Sequence, residues 1–144
     1  RIVAMGVLWR DHVCYLYHGT HNRTGAAALG HAVLYPATRS GLGLVLLARQ
    51  PEAAVKELYK DREIPGYDSV AALQKELARV LKLGYADLIR RADDRALAVG
   101  IGEKPAAALT FAGNIPSDIA NQVATLRAAA AEIESKLVSY QKGC

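Results

Sequence analysis

Apolar and polar positions along the chain alternate between two periods, one of strands and one of helices. Ile2 to Leu8 is an apolar run with β-branched members. Trp9-Arg10-Asp11 interrupts it, and His12 to Tyr17 resumes with Val13, Tyr15 and Tyr17 alternating with Cys14 and Leu16. Two short runs around a tight polar break predict a β-hairpin. His18 to Thr24 is polar and contains a glycine, so it reads as a loop. Ala26 to Tyr35 is apolar again and predicts a third strand, softened by Gly30 and ended by Pro36.

The period then lengthens. Thr38 or Ser40 can cap a short apolar helix over Gly41 to Ala48. Pro51 suits the first turn of a second helix, with Glu52 near its positive end and Lys56 and Lys60 later. Ile64-Pro65-Gly66 reads as a turn. Asp68 or Ser69 caps a third helix, in which Val70, Leu73, Leu77 and Val80 recur at helical spacing before Gly84 stops it.

Strands return over Tyr85 to Ile89, Ala96 to Ile101 and Ala106 to Ala112, the last two joined through Gly102-Glu103-Lys104-Pro105. Pro116-Ser117-Asp118 opens a final helix. Its stripe of Ile119, Val123, Leu126, Ala130, Ile133, Leu137 and Tyr140 faces either the sheet or a partner. Blocks of strands separated by blocks of helices predict an α+β fold with a largely antiparallel sheet. No repeat at solenoid periods is present. A length of 144 residues fits a single domain, 1–144, around one core.

Composition narrows the class. Hydrophobic residues make up 51% and charged residues 22%, as in a folded globule rather than a disordered chain. The net charge of +4 is spread along the chain and mixed with acids, so it describes a solvated exterior rather than a nucleic-acid surface. Cys14 sits in an apolar run and reads as a small buried hydrophobe; Cys144 is the last residue. Neither belongs to a CxxC pair, so no disulfide framework or zinc knuckle is expected and a reducing cytoplasm is the default compartment. No apolar stretch is long enough to span a membrane, and no signal peptide is read. The chain starts at Arg1 and enters a strand-like run at once, which reads as a segment of a longer protein.

Few residues suggest chemistry. His18 and His21 stand in the run His-Gly-Thr-His, and His31 is nearby in sequence. Two imidazoles can share a metal, but no carboxylate or cysteine stands at ligand spacing, so these read as solvated loop histidines and no metal or cofactor is expected. Gly41-Leu42-Gly43 is half of a dinucleotide fingerprint without its third glycine or its strand-turn-helix context. Thr38-Arg39-Ser40-Gly41 makes a helix N-terminus whose free N–H groups and dipole favour an anion, with Arg39 adding charge. The same Ser40 can also be nothing more than a cap. Asp93 and Asp94 are adjacent carboxylates, but neighbours in a strand point to opposite faces, which suits a solvated turn better than acid–base work on one atom. Nucleophile-elbow, Walker, zincin and EF-hand motifs are absent. Aromatics, at 6%, are not interleaved with a basic stripe.

The order of these segments resembles the C-terminal domain of IclR-type transcriptional regulators. In that family a hairpin precedes a segment Pro-x-x-x-Ser/Thr-Gly/Ala-x-Gly-Lys-x-x-Leu-Ala. A helix running into Gly-Tyr/Phe-Ala follows, then an acidic loop, an Ile-Ala-x-Pro strand, an Ala-Leu-Ser/Thr-x-Ser/Ala-Gly strand and a closing helix. The chain matches with Pro36 and Ser40-Gly41-Leu42-Gly43 through Leu47-Ala48, and with Leu77-Ala78-Arg79-Val80 leading to Gly84-Tyr85-Ala86. It matches again with Leu97 to Ile101, with Ala108-Leu109-Thr110-Phe111-Ala112-Gly113, and with Ala130 to Leu137. The resemblance covers nearly the whole chain, and its specificity lies in order and spacing rather than in any one motif.

The resemblance implies a GAF/profilin-like fold, a six-stranded antiparallel sheet with helices packed on it and a pocket on one face. It implies a small carboxylate or aromatic acid as effector, self-association to a dimer or tetramer, and operator DNA bound only through an N-terminal winged helix-turn-helix domain that this chain does not include. It implies no enzyme. Carried over by position, the effector site comprises Ser40, Gly41 and Leu42 as backbone donors, with Arg39 beside them. Thr110 supplies a strand hydroxyl, Ala96 stands at a strand position often held by cysteine, and Asp93 or Asp94 supplies a carboxylate. The chain departs from the pattern at Leu44 for the lysine, Gly100 for the proline, Ala96 for the cysteine and Ala112 for a second hydroxyl. The loop after Gly84-Tyr85-Ala86 is also shorter, which leaves Asp87, Asp93 and Asp94 as alternatives for the acidic position. These changes make the pocket less polar, so the ligand is more apolar or aromatic, or sensing is lost and only association remains. Two other classes stay open: a ligand-free interaction module, and a small α+β enzyme with an anion hole at Ser40 to Gly43.

Overall fold

The computed structural model describes residues 1–30, 33–104 and 106–143. Its first element is the expected hairpin, β1 (Ile2–Trp9) against β2 (His12–Gly19). The turn is closed by Arg10, one of two non-glycine residues with positive φ among those described. β2 runs on through His18 and Gly19 into what reads as a loop, because β1 still offers partners there: Ala4 lies opposite His18 and Val3 opposite Gly19. The ladder carries a bulge. Met5 faces Tyr17 but Gly6 faces Tyr15, so Leu16 is the extra residue.

The third strand is much shorter than its apolar composition suggests. A 3-10 turn occupies Gly25–Ala28, and β3 is only Leu34–Pro36. Gly25 adopts positive φ at the start of the 3-10 turn, and Gly30 adopts positive φ within the apolar run and breaks it. His31, which the sequence placed with the possible metal-binding histidines, lies outside the described residues, as does Cys144.

A 3-10 turn at Ala37–Arg39 leads into α1 (Gly41–Ala48), followed by α2 (Glu52–Leu58) and α3 (Val70–Leu83). β4 (Ala86–Arg91), β5 (Asp94–Ile101) and β6 (Ala107–Gly113) complete the sheet, and α4 (Ile119–Lys142) closes the fold. β5 begins at Asp94, two residues earlier than its apolar pattern, since Asp94 and Arg95 still pair with β4. All pairings are antiparallel, in the order β3-β2-β1-β6-β5-β4. Among the described residues the architecture is α+β, a curled six-stranded sheet with four helices.

The two faces of the sheet carry separate cores. α1 is apolar on every side, and such a helix must be buried on every side. It lies on the concave face against Ala4, Val13, Ala86, Ala98 and Ala108, and Leu73, Leu77 and Val80 of α3 cover it from outside. The small strand residues are what let a helix come this close. A Cβ at Gly41 would stand 3.3 Å from the Ala98 Cβ and 3.5 Å from the Ala96 Cβ. α3 begins where Ser69 accepts the Ala72 N–H at 3.1 Å and ends at Gly84 with φ +76.

On the opposite face Val123, Leu126 and Ala130 of α4 bury Leu97, Val99, Ile101 and Leu109. The apolar stripe of α4 thus divides. Ile119 to Ile133 faces the sheet, whereas Leu137 is 57% and Tyr140 82% exposed. Cys14 is half-buried rather than buried, and it is a free thiol.

Candidate functional site

The concave face is organised in rows set by strand register. One row runs His18, Ala4, Thr110, Ala98, Ala86 across β2, β1, β6, β5 and β4. A neighbouring row runs Ile2, Ala112, Ala96, Leu88. The N-terminus of α1 rests on both, at Ala96 and Ala98. Five of the residues singled out in the sequence therefore meet: Ser40, Gly41, Leu42, Ala96 and Thr110. All five are buried.

Ser40 acts first as a cap. Its hydroxyl accepts the Gly43 N–H at 3.4 Å, and its carbonyl accepts the Leu44 N–H at 2.9 Å. The N–H groups of Gly41 and Leu42 belong to the first turn, where a helix provides no acceptor of its own. Thr110 donates its hydroxyl proton to the Leu97 carbonyl at 2.7 Å, so towards a ligand it is an acceptor. Gly43 has a plain structural reason: a Cβ there would stand 2.1 Å from the Ala37 carbonyl oxygen. The glycines of this segment thus serve close packing rather than a nucleotide.

The structure separates the three carboxylates that the sequence left as alternatives. Asp87 faces the α4 side, opposite Leu97, and pairs with Arg95 at 2.7 Å. Asp93 is exposed in the β4–β5 turn. Asp94 lines a cleft of about 460 Å³ together with Arg39, Thr38, Tyr35, Tyr67 and Arg90. Its carboxylate holds Arg90 at 2.7 Å. Arg39 is exposed and reaches over Gly66.

A second cleft, of about 490 Å³, adjoins the first through Tyr35 and Arg90, and Tyr15, His18, Arg23 and Val33 complete it. Tyr15 links this cleft to the α1 N-terminus. Burial pushes its phenol above the ordinary value and Tyr35 adds to that, while the Ser40 hydroxyl beside it and Arg90 pull the other way. Tyr67, at the far end of the first cleft, is pushed up to about 12, chiefly by burial.

Sequence reasoning did not find Tyr15, Tyr35, Arg23 or Arg90, and it placed His18 in a solvated loop. The alternation of Val13, Tyr15 and Tyr17 was visible. What brings the others together is a pair of bulges, at Leu16 and at Arg90, where the β4–β5 register slips between Ile89 and Arg91. Among the described residues no group of three or more histidine, cysteine or carboxylate side chains is placed to hold a metal ion. No helix among them is long and apolar enough to cross a membrane.

No family model and no curated protein matches the sequence. Solved structures do. The chain is similar to an IclR homolog from Microbacterium hydrocarbonoxydans complexed with 4-hydroxybenzoate, at 26% identity and a TM-score of 0.79 over 96% of this chain and 61% of that one. It is similar to the Agobacterium tumefaciens repressor BlcR, at 19% identity and a TM-score of 0.77 over 94% of this chain and 59% of that one. It is also similar to the C-terminal domain of the E. coli transcriptional regulator KdgR, at 22% identity and a TM-score of 0.70 over 93% of this chain and 85% of that one. The chain thus spans about three fifths of the first two relatives and most of an isolated C-terminal domain. These relatives are transcriptional regulators, not enzymes.

Proposed function

We propose that this chain, which has the fold of the C-terminal effector-binding domain of IclR-family regulators, senses a small organic acid and transmits its presence to operator DNA. Residues 1–144 act as one effector-binding domain with a GAF/profilin-like arrangement. The acid binds on the concave face at the α1 N-terminus. Ser40, Gly41 and Leu42 offer donors there, Arg39 adds charge, Ala96 and Thr110 form the floor, and Asp94 rather than Asp93 supplies the carboxylate at the rim. DNA is bound through a separate N-terminal winged helix-turn-helix domain, and the chain associates with copies of itself as a dimer or tetramer. The setting is the bacterial cytoplasm.

One observation carries this reading. A cleft lined by Thr38 and Arg39, just before the α1 N-terminus, and a second one lined by Tyr15 belong to a fold shared, at 26% identity, with an IclR homolog complexed with 4-hydroxybenzoate. A helix N-terminus favours an anion through its unpaired donors and its dipole acting together. The test is thermal unfolding against a panel of small aliphatic and aromatic acids. A ligand at about a hundred times its dissociation constant adds roughly 2.7 kcal/mol, which moves the melting temperature by several degrees. A shift reduced by Arg39→Ala, which removes the cation at the α1 N-terminus, supports the reading. A flat panel overturns it and leaves a ligand-free interaction module.

A further inference from the structure

We propose that the hollow between β1, the C-terminal half of α1 and α2 is a further ligand site that takes one free straight-chain aliphatic carboxylate, with the alkyl chain under α2 and the head group on Arg10. Among the described residues it shares no lining side chain with the site at the α1 N-terminus. The inference therefore stands apart from the effector reading and does not depend on it.

The lining favours an alkyl chain. The hollow encloses about 430 Å³, a volume within the range of small-molecule sites. Leu8, Leu46, Leu47, Val55 and Leu58 make its walls. Among the described residues no aromatic ring, hydroxyl or carboxylate side chain lines it. The backbone at its floor needs no polar guest either, because the Leu46 and Leu47 carbonyls at the end of α1 accept the Arg49 and Gln50 N–H groups at 3.3 and 3.0 Å. A guest gains here by burying apolar surface, and polar atoms along its length would lose their water for nothing. α2 leaves room for it. Within the seven residues of this helix only Val55 is buried. A second hollow of about 220 Å³, between α2 and α3, shares Leu47, Gln50 and Val55 with the first. A helix with space on both flanks can shift to admit chains of different length. Its outer surface carries the Lys56–Glu52 ion pair at 3.0 Å and the exposed Glu57. A bilayer laid over the hollow would bury those charges, so the occupant is a free acid rather than a membrane lipid.

Arg10 sets the charge of the head group. It lines the hollow from the β1–β2 turn, where it adopts φ 55, a conformation that glycine takes without strain. An arginine there places one cation at the rim of an otherwise aliphatic site. Among the described residues Arg10 makes no ion pair. The carboxylate next to it in sequence, Asp11, is held instead by Arg62 at 2.8 Å and by His12 at 3.0 Å. A guanidinium has five donors in a planar fork and binds a carboxylate in two-point fashion. Gln50, the other polar residue of the lining, adds an amide donor. A carboxylate satisfies both groups, whereas an alkylammonium would meet like charge.

The experiment measures binding by calorimetry for hexanoate, octanoate, decanoate, octanol and octylammonium, on the whole chain and on Arg10→Gly and Ala54→Phe. Affinity should rise roughly fourfold per added methylene along the carboxylate series. Octylammonium should bind weaker than octanoate by roughly tenfold or more. Arg10→Gly removes the cation and relieves the turn, so it should weaken octanoate by a similar factor, leave octanol unchanged and not lower the melting temperature. A merely structural role for Arg10 would not separate octanoate from octanol. Ala54 is exposed and lines the hollow, so Ala54→Phe should fold normally, fill the space and abolish binding of all the alkyl compounds. Equal affinity for octanoate and octylammonium overturns the role of Arg10. Affinity independent of chain length, or indifferent to Ala54→Phe, overturns the hollow. Displacement of decanoate by benzoate puts both acids in one site and overturns the separation from the α1 N-terminus. Flotation with phosphatidylcholine vesicles without binding of free octanoate overturns the proposal in favour of a membrane contact. No binding by any alkyl compound overturns it outright and leaves acid sensing at the α1 N-terminus untouched.

Discussion

Tyr15 and His18 lie on the same face of β2 although they are an odd number of residues apart, and their rings meet edge to face at 5.4 Å. Regular pleating would put them on opposite sides. The bulge at Leu16 restores them to one side: Tyr15 stands opposite Gly6 and His18 opposite Ala4, and Gly6 and Ala4 share the concave face. The Leu16 carbonyl, released from the ladder at this point, accepts the Gly30 N–H at 3.2 Å. A local irregularity in one strand thus builds the wall of the cleft.

Gly43→Ala should be severely destabilising. The new methyl would stand 2.1 Å from the Ala37 carbonyl oxygen, a backbone atom in the turn that positions α1. Relief requires moving the turn or the helix, and overpacking of this kind costs about 3 kcal/mol or more. Gly41→Ala meets the methyls of Ala98 and Ala96 at 3.3 and 3.5 Å and the Ala96 carbonyl oxygen at an ordinary 3.7 Å, and should cost about 1 kcal/mol. Urea unfolding midpoints of the two variants check the order; an equal loss would mean that the 37–43 turn yields freely.

Tyr59→Phe should leave stability at neutral pH within about 0.5 kcal/mol of the parent. The ring is 2% exposed, and its hydroxyl finds no partner among the described residues. Burial, helped by Asp11, pushes this phenol up to about 12 from an ordinary 10.0. A folded-state pKa above the unfolded one stabilises below pH 10 and loses that contribution as pH rises towards 12. The parent should therefore lose stability over that alkaline window, and Tyr59→Phe should lose less. Alkaline unfolding curves that coincide would contradict it.

The acid limb should depend on Asp11. Burial raises its carboxyl, but the His12 ring at 3.0 Å, its own backbone and Arg62 at 2.8 Å outweigh that and hold it below its ordinary 3.8. A depressed carboxylate stabilises the fold above the unfolded value and loses that contribution as pH falls through the folded one. Asp11→Asn should flatten the loss of stability below about pH 4. The same residue ties the β1–β2 turn to the start of the α1 segment, since the Asp11 carbonyl accepts the Ala37 N–H at 2.9 Å. That backbone bond survives the substitution, so the variant should fold.

The two halves of α4 should respond differently. Leu126 is fully buried, and Leu126→Ala should cost about 3 kcal/mol at any protein concentration. Leu137 is 57% exposed and belongs to neither core cluster, so Leu137→Ala should be neutral in dilute protein. If the outer half of α4 is a self-association surface, the Leu137 variant should also lower the concentration dependence of the melting temperature. Sedimentation of parent and variant side by side reads this directly.

Much of the fold was legible because it is written in local patterns. The all-apolar run Gly41 to Ala48 reads as a helix, and Val70, Leu73, Leu77 and Val80 read as one helix face; that the second covers the first is shown only by the packing. Ser69 and Gly84 mark the ends of α3 by cap chemistry that needs no tertiary context. The third strand is shorter than its composition predicts because a 3-10 turn takes Gly25–Ala28 and the positive φ of Gly30, which only the fold reveals, ends the extended run.

The site divides along the same line. Ser40 and Gly41 were legible as a helix start, Ala96 and Thr110 came only from the resemblance to IclR-type regulators, and strand register places Ala96 and Thr110 on the face that carries the α1 N-terminus. Asp87, Asp93 and Asp94 were equivalent as letters. Strand pairing sent Asp87 to the α4 face, left Asp93 in solvent and gave Asp94 to Arg90. Tyr15, His18, Tyr35 and Arg90 converge only because two bulges and the curl of the sheet bring β2, β3 and β4 around one hollow. Periodicity determines which residues must be buried. Which of the remaining polar ones face one another depends on register, and a shift of a single residue in a ladder reverses it.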